Sequence, residues 1–491
     1  MSAQLPSKLY SVAEVRGLDA AAIASGIPGL SLMQRAGEAA WAMLLRRWPH
    51  AAHVAVACGP GNNGGDGYVL AAAARRAGCR VTLLEVGNVD KAGSDARACR
   101  SAALADGVVA GGELAAFATA DVLVDALLGI GLRTAPAGEF ATTIEAMNAS
   151  PAPVLSLDVP SGLDADTGHA PGAVVQATAT LTFIGLKRGL FTGQAPDCVG
   201  ALEFDDLAVP GAVFESAMPA GERLVLPWVR RWLVPRRRTA HKGDAGHVLV
   251  VGGTPGFAGA ARMAAEAALR TGAGLVSVAV PGASVPGVGA GRPELMVHAV
   301  ETPADLWPLL GKASVVAIGP GLGQGAWGRS MLAAVLGTRL PLVLDADALN
   351  LLASDPLRRD GWCLTPHPGE AGRLLGVSTA EVGANRFEAA RAMAGRFGGT
   401  IVLKGAGTLV TEGDGIDVVC AGNPGMASGG MGDVLTGIIA ALAAQRLPLP
   451  HAARLGAVLH ATAADRAALA DGERGLLATD LLAPLRQLLN E

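Results

Sequence analysis

The residues of this chain best suited to chemistry lie in glycine-rich stretches, and the most explicit is GMASGGMGDVLTGIIA at 425–440. It reads as a loop entering an apolar helix near Gly432, with a single carboxylate, Asp433, at the entrance. Gly429, Gly430 and Gly432 carry no Cβ, so a ligand can approach their backbone closely. The first amide N–H groups of such a helix have no intrahelical partner, and that end carries roughly half a positive charge, which suits a phosphate. An aspartate there repels a bound phosphate. Its presence points to taking a proton from a hydroxyl, or returning one, as phosphate moves. A plain loop-to-helix turn is the competing reading of the motif taken alone.

Other loops of the second half add to this set. KGAGT at 404–408 offers a lysine and successive amides, a phosphate cradle without the Walker spacing. GPGLG at 319–323 falls short of the full dinucleotide fingerprint, which disfavours an ordinary Rossmann dehydrogenase. His367, between two prolines in TPHPGE (365–370), is held in a rigid turn and is expected to project toward a ligand, a structural histidine being the alternative. GGTPGFAGA (252–260) and DADALN (345–350) complete the collection.

The first half has its own set: GPGNNGGDG (59–67), Asp125 with GIGLRTA (129–135), and DVPSGLDADTG (158–168). Asn63, Asp125 and Ser161 are hard oxygen donors of low total charge, which with backbone carbonyls suit a monovalent cation better than a transition metal. Asp66 and Asp158 are candidates for proton transfer or for binding hydroxyls. Turn capping accounts for Asp125 or Asp158 singly, and less well for all three loops converging.

Ligands of open α/β sheets sit beyond the carboxyl ends of the strands, and the sequence supplies such strands. HVAVAC (53–58) precedes the first glycine loop and the alanine-rich YVLAAAARRAG follows it. Further strands read at 81–86, 121–128 and 154–159, with helices near 93–106 and 140–149 and edge strands at 179–184 and 201–204. Ser11 with Glu14, and Ser31 with Gln34, have capping-box spacing and predict two opening helices. Prolines, WVRRW and RRR (236–238) break the pattern at 210–235 and beyond, marking a seam. The arginine run reads as a solvated linker, an anion patch being the alternative. Strands then restart at 247–251, 275–280, 315–318, 342–345 and 401–404, and the chain ends in helices. Alternation of this kind predicts a parallel sheet covered on both faces in each half.

Composition bounds the rest. A chain of 491 residues exceeds one ordinary core, so two or three domains are expected. With 51% hydrophobic residues, 17% charged and 67 glycines, it reads as tightly packed rather than disordered. Lys and Arg number 39 against 43 acidic residues, a net charge of −4, so no basic field recruits nucleic acid or an anionic membrane. Six cysteines without a C-x-x-C pair suggest neither a zinc site nor a disulfide framework. The opening MSAQLPSKLYSVAEV has no apolar signal core, and no run of about 18 apolar residues is seen, so a soluble, cytoplasmic protein is expected.

Taken together the motifs resemble a known family over nearly the whole chain. GPGNNGGDG, DVPSGLD (158–164) and FIGLKRGLFTG (183–193) resemble the NAD(P)H-hydrate epimerase domain. HKGDAGHVLVVGG (241–253), TPHPGE, KGAGT and NPGMASGGMGD (423–433) resemble the NAD(P)H-hydrate dehydratase, in the order of the fused bacterial repair enzyme. The resemblance implies an α/β chain with a Rossmann-like three-layer domain at 1–220 and a ribokinase-like domain at 221–491. It implies that the first interconverts the R and S hydrates of NADH or NADPH. Asn62, Asn63, Gly64, Gly65, Asp66, Gly129, Ile130, Gly131, Leu132, Arg133, Thr134, Ala135 and Asp158 would contact the hydrate, and Asn63, Asp125 and Ser161 would hold potassium.

The second domain would dehydrate the S form with ADP and Mg²⁺, giving AMP and phosphate. Lys404, Gly405, Ala406, Gly407, Thr408 and Gly432 would hold the nucleotide, and Ala260, Gly321, His367 and Asp433 the hydrate, with Asp433 as base. Asp158 is the first choice for the epimerase proton shuttle. Nothing in the residues separates ADP from ATP, or NADH hydrate from NADPH hydrate. Homo-oligomers are expected from the resemblance. Gln34 departs from the acidic residue usual in LMQRAG; this weakens epimerisation if the position serves the site and is neutral if it lies on the surface. A ribokinase-type vitamin or sugar kinase is the second enzyme reading, and a non-catalytic first domain the third.

Overall fold

The computed structural model of the protein describes residues 5–132 and 134–491, and the chain divides into two compact units, Met1–Glu222 and Arg223–Glu491. In the first, six parallel strands form one sheet: β1 (His53–Cys58), β2 (Arg80–Glu85), β3 (Val122–Ala126), β4 (Val154–Leu157), β5 (Ala179–Phe183) and β6 (Ala201–Asp205). Their order is β2-β1-β3-β4-β5-β6. β1, β3, β4 and β5 are buried throughout, which their near-continuous apolar runs require of a parallel sheet covered on both faces. The stretch read as an edge strand at 179–184 is therefore interior, and only 201–205 takes the edge expected of it.

The opening helices show where local signals hold. Ser11 caps helix α1 (Val12–Ala24) with the full capping box to Glu14. Helix α2 (Gly29–Arg47) starts earlier than the Ser31 signal predicts, because Pro28, φ −59°, occupies the N-cap and places Ser31 inside the first turn. Helix α3 (Asn62–Arg76) also starts early, so the second half of GPGNNGGDG is helix rather than loop.

In the second unit nine strands follow the order β15-β14-β13-β12-β11-β10-β7-β8-β9. The strands are β7 (His247–Val251), β8 (Leu275–Val280), β9 (Met296–Ala299), β10 (Val315–Ile318), β11 (Leu342–Leu344), β12 (Trp362–Leu364), β13 (Thr400–Leu403), β14 (Leu409–Thr411) and β15 (Asp417–Val419). β7 to β13 pair in parallel, while β14 and β15 run antiparallel at one side. The sequence pattern missed β9, β12, β14 and β15, all three or four residues long and too short to show a period. Helix α4 (Ala258–Thr271) packs against helix α5 (Met431–Ala444), and a Cβ on Gly437 would lie 2.0 Å from the Ala264 carbonyl. The small residues of both helices thus permit backbone contact, and this fixes the helix that carries Asp433. At the seam, Arg236, Arg237 and Arg238 are exposed, as a solvated linker requires. Among the described residues no helix is long and apolar enough to cross a membrane.

Candidate active sites

The carboxyl ends of β1, β3 and β4 open onto a cavity of about 890 Å³. Asn62, Asn63, Asp66, Gly129, Ile130, Gly131, Leu132, Thr134, Ala135 and Asp158 line it, and Arg133 lies outside the described residues. Gly64 and Gly65 stand behind this wall. A Cβ on Gly64 would come within 2.0 Å of the Gly59 carbonyl, so the tight entry into α3 demands glycine there.

Asp125, Ser161 and Asn63 converge beneath the cavity. Ser161 donates its hydroxyl to Asp125 Oδ1 at 2.5 Å and its backbone N–H to Oδ2 at 2.8 Å, and Ser156 adds a bond at 2.8 Å. Burial pushes the Asp125 carboxyl above its ordinary range against these hydrogen bonds. Asn63 Nδ2 donates to the Leu128 carbonyl at 3.1 Å, while its Oδ1 is buried with no protein partner. A buried acceptor left unsatisfied costs about 1–3 kcal/mol, so this cluster of oxygens fits a cation.

Asp158 sits at φ +65°, a left-handed conformation that costs a non-glycine residue about 1 kcal/mol, and its N–H is held by the Leu181 carbonyl at 2.7 Å. That turn aims its carboxylate at Lys187, Thr182 and the Phe183 N–H. Lys187 is 1% exposed and also donates to Thr182 at 3.1 Å and the Phe183 carbonyl at 2.8 Å. Two further carboxyls face the same space. Burial, reinforced by the charges of Asp158 and Asp19 and opposed by Lys187, pushes Asp66 well above the usual carboxylate range. Burial also raises Asp19 to about 6, with Lys187 and Arg16 lowering it and Asp158 raising it. Sequence reasoning did not single out Lys187 or Asp19. Lys187 carried a signal, a lysine inside the apolar FIGLKRGLF, whereas Asp19 looks like any polar residue of a surface helix. Gln34 is exposed and outside the cavity lining.

In the second unit the parallel strands β7, β10, β11, β12 and β13 stand side by side, so their following loops line one edge of the sheet. The loop after β7 and that after β10 are knitted by Thr254, which donates N–H and hydroxyl to the Gly321 carbonyl at 2.7 and 2.9 Å. Ala260 N–H meets the Phe257 carbonyl, the atom that a Cβ on Gly321 would strike at 2.7 Å. Ala260 and Gly321 therefore share one wall.

Asp345, after β11, is 1% exposed and paired with Lys404, after β13, at 2.6 Å. Thr436 of α5 donates to its other oxygen at 3.0 Å, and Glu370 lies 3.8 Å from the same ammonium. Burial works to raise Asp345, and the Lys404 ammonium overcomes it, leaving the carboxyl below its usual range. Burial likewise opposes the charge on Lys404, and Asp345, Glu370 and Asp433 more than restore it. Lys404 thus holds its ammonium beside Asp345 and Glu370 at the entrance to the loop that follows it.

The loop after Lys404 is shaped from below. Arg386, 4% exposed, donates to the carbonyls of Leu403, Lys404 and Gly407. In a trans peptide the carbonyl and the next N–H point opposite ways, so drawing the Lys404 and Gly407 carbonyls inward turns the N–H groups of Gly405 and Thr408 outward. Gly405, at φ +137°, leaves room for the guanidinium that a Cβ would meet at 2.5 Å. Arg386 was invisible as a site residue because it lies in an ordinary amphipathic helix 18 residues from the loop.

Asp433 stands in the first turn of α5, after Gly430 at φ +91°. Burial raises its carboxyl to about 7, with Asp345 adding, Lys404 opposing and Glu370 adding. Gly432 brings the backbone within reach of the same pair, since a Cβ there would lie 3.2 Å from Asp345 Oδ2 and Lys404 Nζ. His367 is exposed just past the carboxyl end of β12. Its Nδ1 accepts from Gly369 and Glu370 N–H groups, capping the helix Pro368–Leu375, and its Nε2 lies 3.4 Å from Glu370. Among the described residues no cluster of three or more His, Cys, Asp or Glu forms a metal cage.

Comparison with known proteins adds to this geometry. A family described as NAD(P)H-hydrate dehydratase matches residues 248–487, and one described as YjeF-related protein N-terminus matches 29–189. The chain is 50% identical over 487 residues to the bifunctional NAD(P)H-hydrate repair enzyme Nnr of Coxiella burnetii, covering 98% of this chain and 99% of that protein. It is 47% identical to the Escherichia coli enzyme of the same name, over 97% and 92% of the two chains. A ribokinase-like superfamily protein from Enterococcus faecalis superposes with a TM-score of 0.51 at 28% identity, over 56% of this chain and 96% of its own.

Proposed function

The chain belongs to the bifunctional NAD(P)H-hydrate repair enzymes, and from that premise we propose how its two sites divide the work. The first cavity epimerises the R and S hydrates, and the second site dehydrates the S hydrate back to NAD(P)H at the expense of ADP. The observation that carries the second assignment is Asp433, a carboxyl raised to about 7 at a helix N-terminus beside a glycine loop. A base poised there is half ionised at neutral pH and stands where phosphate charge is stabilised.

Dehydration proceeds in two stages. Asp433 accepts the proton of the hydrate's hydroxyl as its oxygen takes the terminal phosphoryl group of ADP, leaving AMP. Phosphate then leaves with its C–O bond electrons, and loss of a proton from the neighbouring carbon restores the ring double bond. The amides of Gly405, Ala406, Gly407 and Thr408 and the backbone at Gly432 hold the nucleotide phosphates, while Ala260, Gly321 and His367 bound the hydrate. Lys404 contacts the phosphates from its place beside Asp345. Mg²⁺ bound with the nucleotide would supply charge neutralisation at the phosphates that these amides hold. ATP satisfies the same geometry, with ADP as product.

In the first cavity an acid–base pair expels the hydroxyl of the hemiaminal and lets water return on the other face. Asp158 shuttles the proton. Potassium bound by Asn63 Oδ1, Asp125 and Ser161 would balance the buried Asp125 charge. Thermal unfolding in K⁺ against Na⁺ tests this: K⁺ raises the midpoint of the native chain, and Asn63→Ala abolishes the difference. Equal midpoints for the native chain would refute potassium binding.

The decisive experiment follows NADH absorbance from a mixture of R and S hydrate with ADP and Mg²⁺, then with ATP and Mg²⁺. Full recovery with one phosphate released per NADH is expected. Recovery that stops at the S fraction would refute the assignment of the first cavity, and no recovery with either nucleotide would favour a small-molecule kinase.

A further inference from the structure

Resting on the epimerase reading of the first cavity, we propose that Asp66 and Asp158 form a two-carboxyl proton relay with Lys187 as its positioning residue. Asp66 gives its proton to the departing hydroxyl, and the Asp158 carboxylate takes one from the water that returns.

Three observations support this division. First, the carboxyls come from elements on either side of β3: Asp66 from α3, which follows β1, and Asp158 from the end of β4. Both side chains line one cavity, so a hydrate bound there meets a carboxyl from each side of β3. An acid and a base on opposite faces of a ring let water enter from the far side. Second, their partners differ. Asp158 accepts the Lys187 ammonium and bonds from Thr182 and the Phe183 N–H. Asp66 has no side-chain hydrogen bond to another described residue and is surrounded by burial and by the charges of Asp158 and Asp19. Third, burial and the neighbouring carboxylates raise Asp66 well above the usual carboxylate range, which suits the acid of the pair. Among the described residues, Asp19 and Arg16 from α1, with Lys91 and Asp95, are the other charged groups lining the cavity.

The balance closes. In the R-to-S direction the C–O bond of the hemiaminal breaks, the ring nitrogen lone pair forms the C=N⁺ bond, and the hydroxyl leaves as water with the proton of Asp66. Water then attacks the same carbon from the opposite face, forming the new C–O bond, and its proton passes to Asp158. The enzyme is left with Asp66 ionised and Asp158 protonated, the state from which the S-to-R reaction starts. One proton returns between the carboxyls or through solvent to reset it.

The test uses the full chain and pure R hydrate, with thermal unfolding and circular dichroism of the same preparations as the control for folding and dehydration of pure S hydrate as the control for the second site. Asp66→Asn is expected to lower kcat of R-to-S conversion by about 10²–10⁴, with KM changed less than threefold. Lys187→Met should lower kcat at least tenfold with KM changed less than threefold, because the Asp158 carboxylate loses the ammonium that positions it. Lys187→Arg should restore part of the rate. A folded Lys187→Met with native kcat, or an Asp66→Asn with native rate, overturns the relay. Should Lys187→Met fail to fold, Lys187→Arg and Asp66→Asn carry the test. A native chain that dehydrates S hydrate yet leaves R hydrate untouched sinks the epimerase reading itself, a result distinct from failure of the relay.

Discussion

Replacing Lys404 by Met isolates the electrostatics of the second site. Asp345 is almost fully buried and takes its ammonium at 2.6 Å; Glu370 is 3.8 Å from the same nitrogen, and Asp433 also feels its charge. Lys404→Met keeps most of the volume and removes the cation, leaving a buried carboxylate whose remaining named partner is the Thr436 hydroxyl, with Thr365 adding a bond. Breaking one side of a buried pair costs about 3–5 kcal/mol. For a unit this size each kcal/mol lowers the midpoint by roughly 2–4 °C, so a fall on the order of 6–20 °C is expected. The partner that causes the cost can be removed too: Lys404→Met with Asp345→Asn should recover more than half of the lost stability, because no unpaired buried charge remains.

The sign with pH follows from the directions of the shifts. The lowered Asp345 contributes stability above its unfolded value of 3.8 that is lost as pH falls through its folded value, and the raised Lys404 contributes stability below 10.5 that is lost as pH rises through its own. The native-to-mutant difference is therefore largest across the neutral range between them. Thermal unfolding of the full chain at pH 7.5, with residual S-hydrate dehydration scored after heating, reads out the second unit. A single variant within 1 kcal/mol of the native chain, or a double variant no more stable than the single, would refute this account of the pair.

Other consequences are as direct. Asp433 acts as an ionised base, so kcat/KM for S-hydrate dehydration should fall about tenfold per pH unit below about 7. Asp433→Asn should reduce kcat by at least about a hundredfold while nucleotide binding, read by calorimetry, persists. Gln34→Glu should leave R-to-S conversion within about twofold of the native rate, since the side chain is exposed and outside the cavity lining; a large gain would place the position in the site after all. His460 is buried and its imidazole lowered to about 4 by burial, with a Met431 hydrogen bond opposing and Lys404 adding. The unfolded chain then binds the proton first, so stability falls as pH drops from 6.5 toward 4, by about 3 kcal/mol in all. His460→Leu should flatten that part of the stability curve, measured by urea unfolding of the second unit; an unchanged slope would assign it to other groups.

Legibility from sequence tracked the length of each signal. β1, β7, β8 and β10 were readable because each is an apolar run closed by glycine or proline, and Ser11 with Glu14 marked α1 because a capping box is a purely local device. β12, with three residues, had no room for a pattern, and its existence is decided by the neighbours it pairs with. Ser31 misled because Pro28 had already begun the helix.

By itself the sequence determined the chemistry available: the glycine loops, the carboxylates Asp66, Asp158 and Asp433, the oxygens of Asn63, Asp125 and Ser161, and the α/β alternation that carries them. Those properties reside in residue types and short spacings, which the chain states outright. Only the tertiary structure decided how the groups are tuned. Lys187 meets Asp158 across 29 residues, Lys404 meets Asp345 across 59, and Arg386 reaches beneath the loop at 404–408. A carboxyl's acidity depends on burial and on charges within a few ångströms, and those distances exist only once the sheet has set its strands side by side.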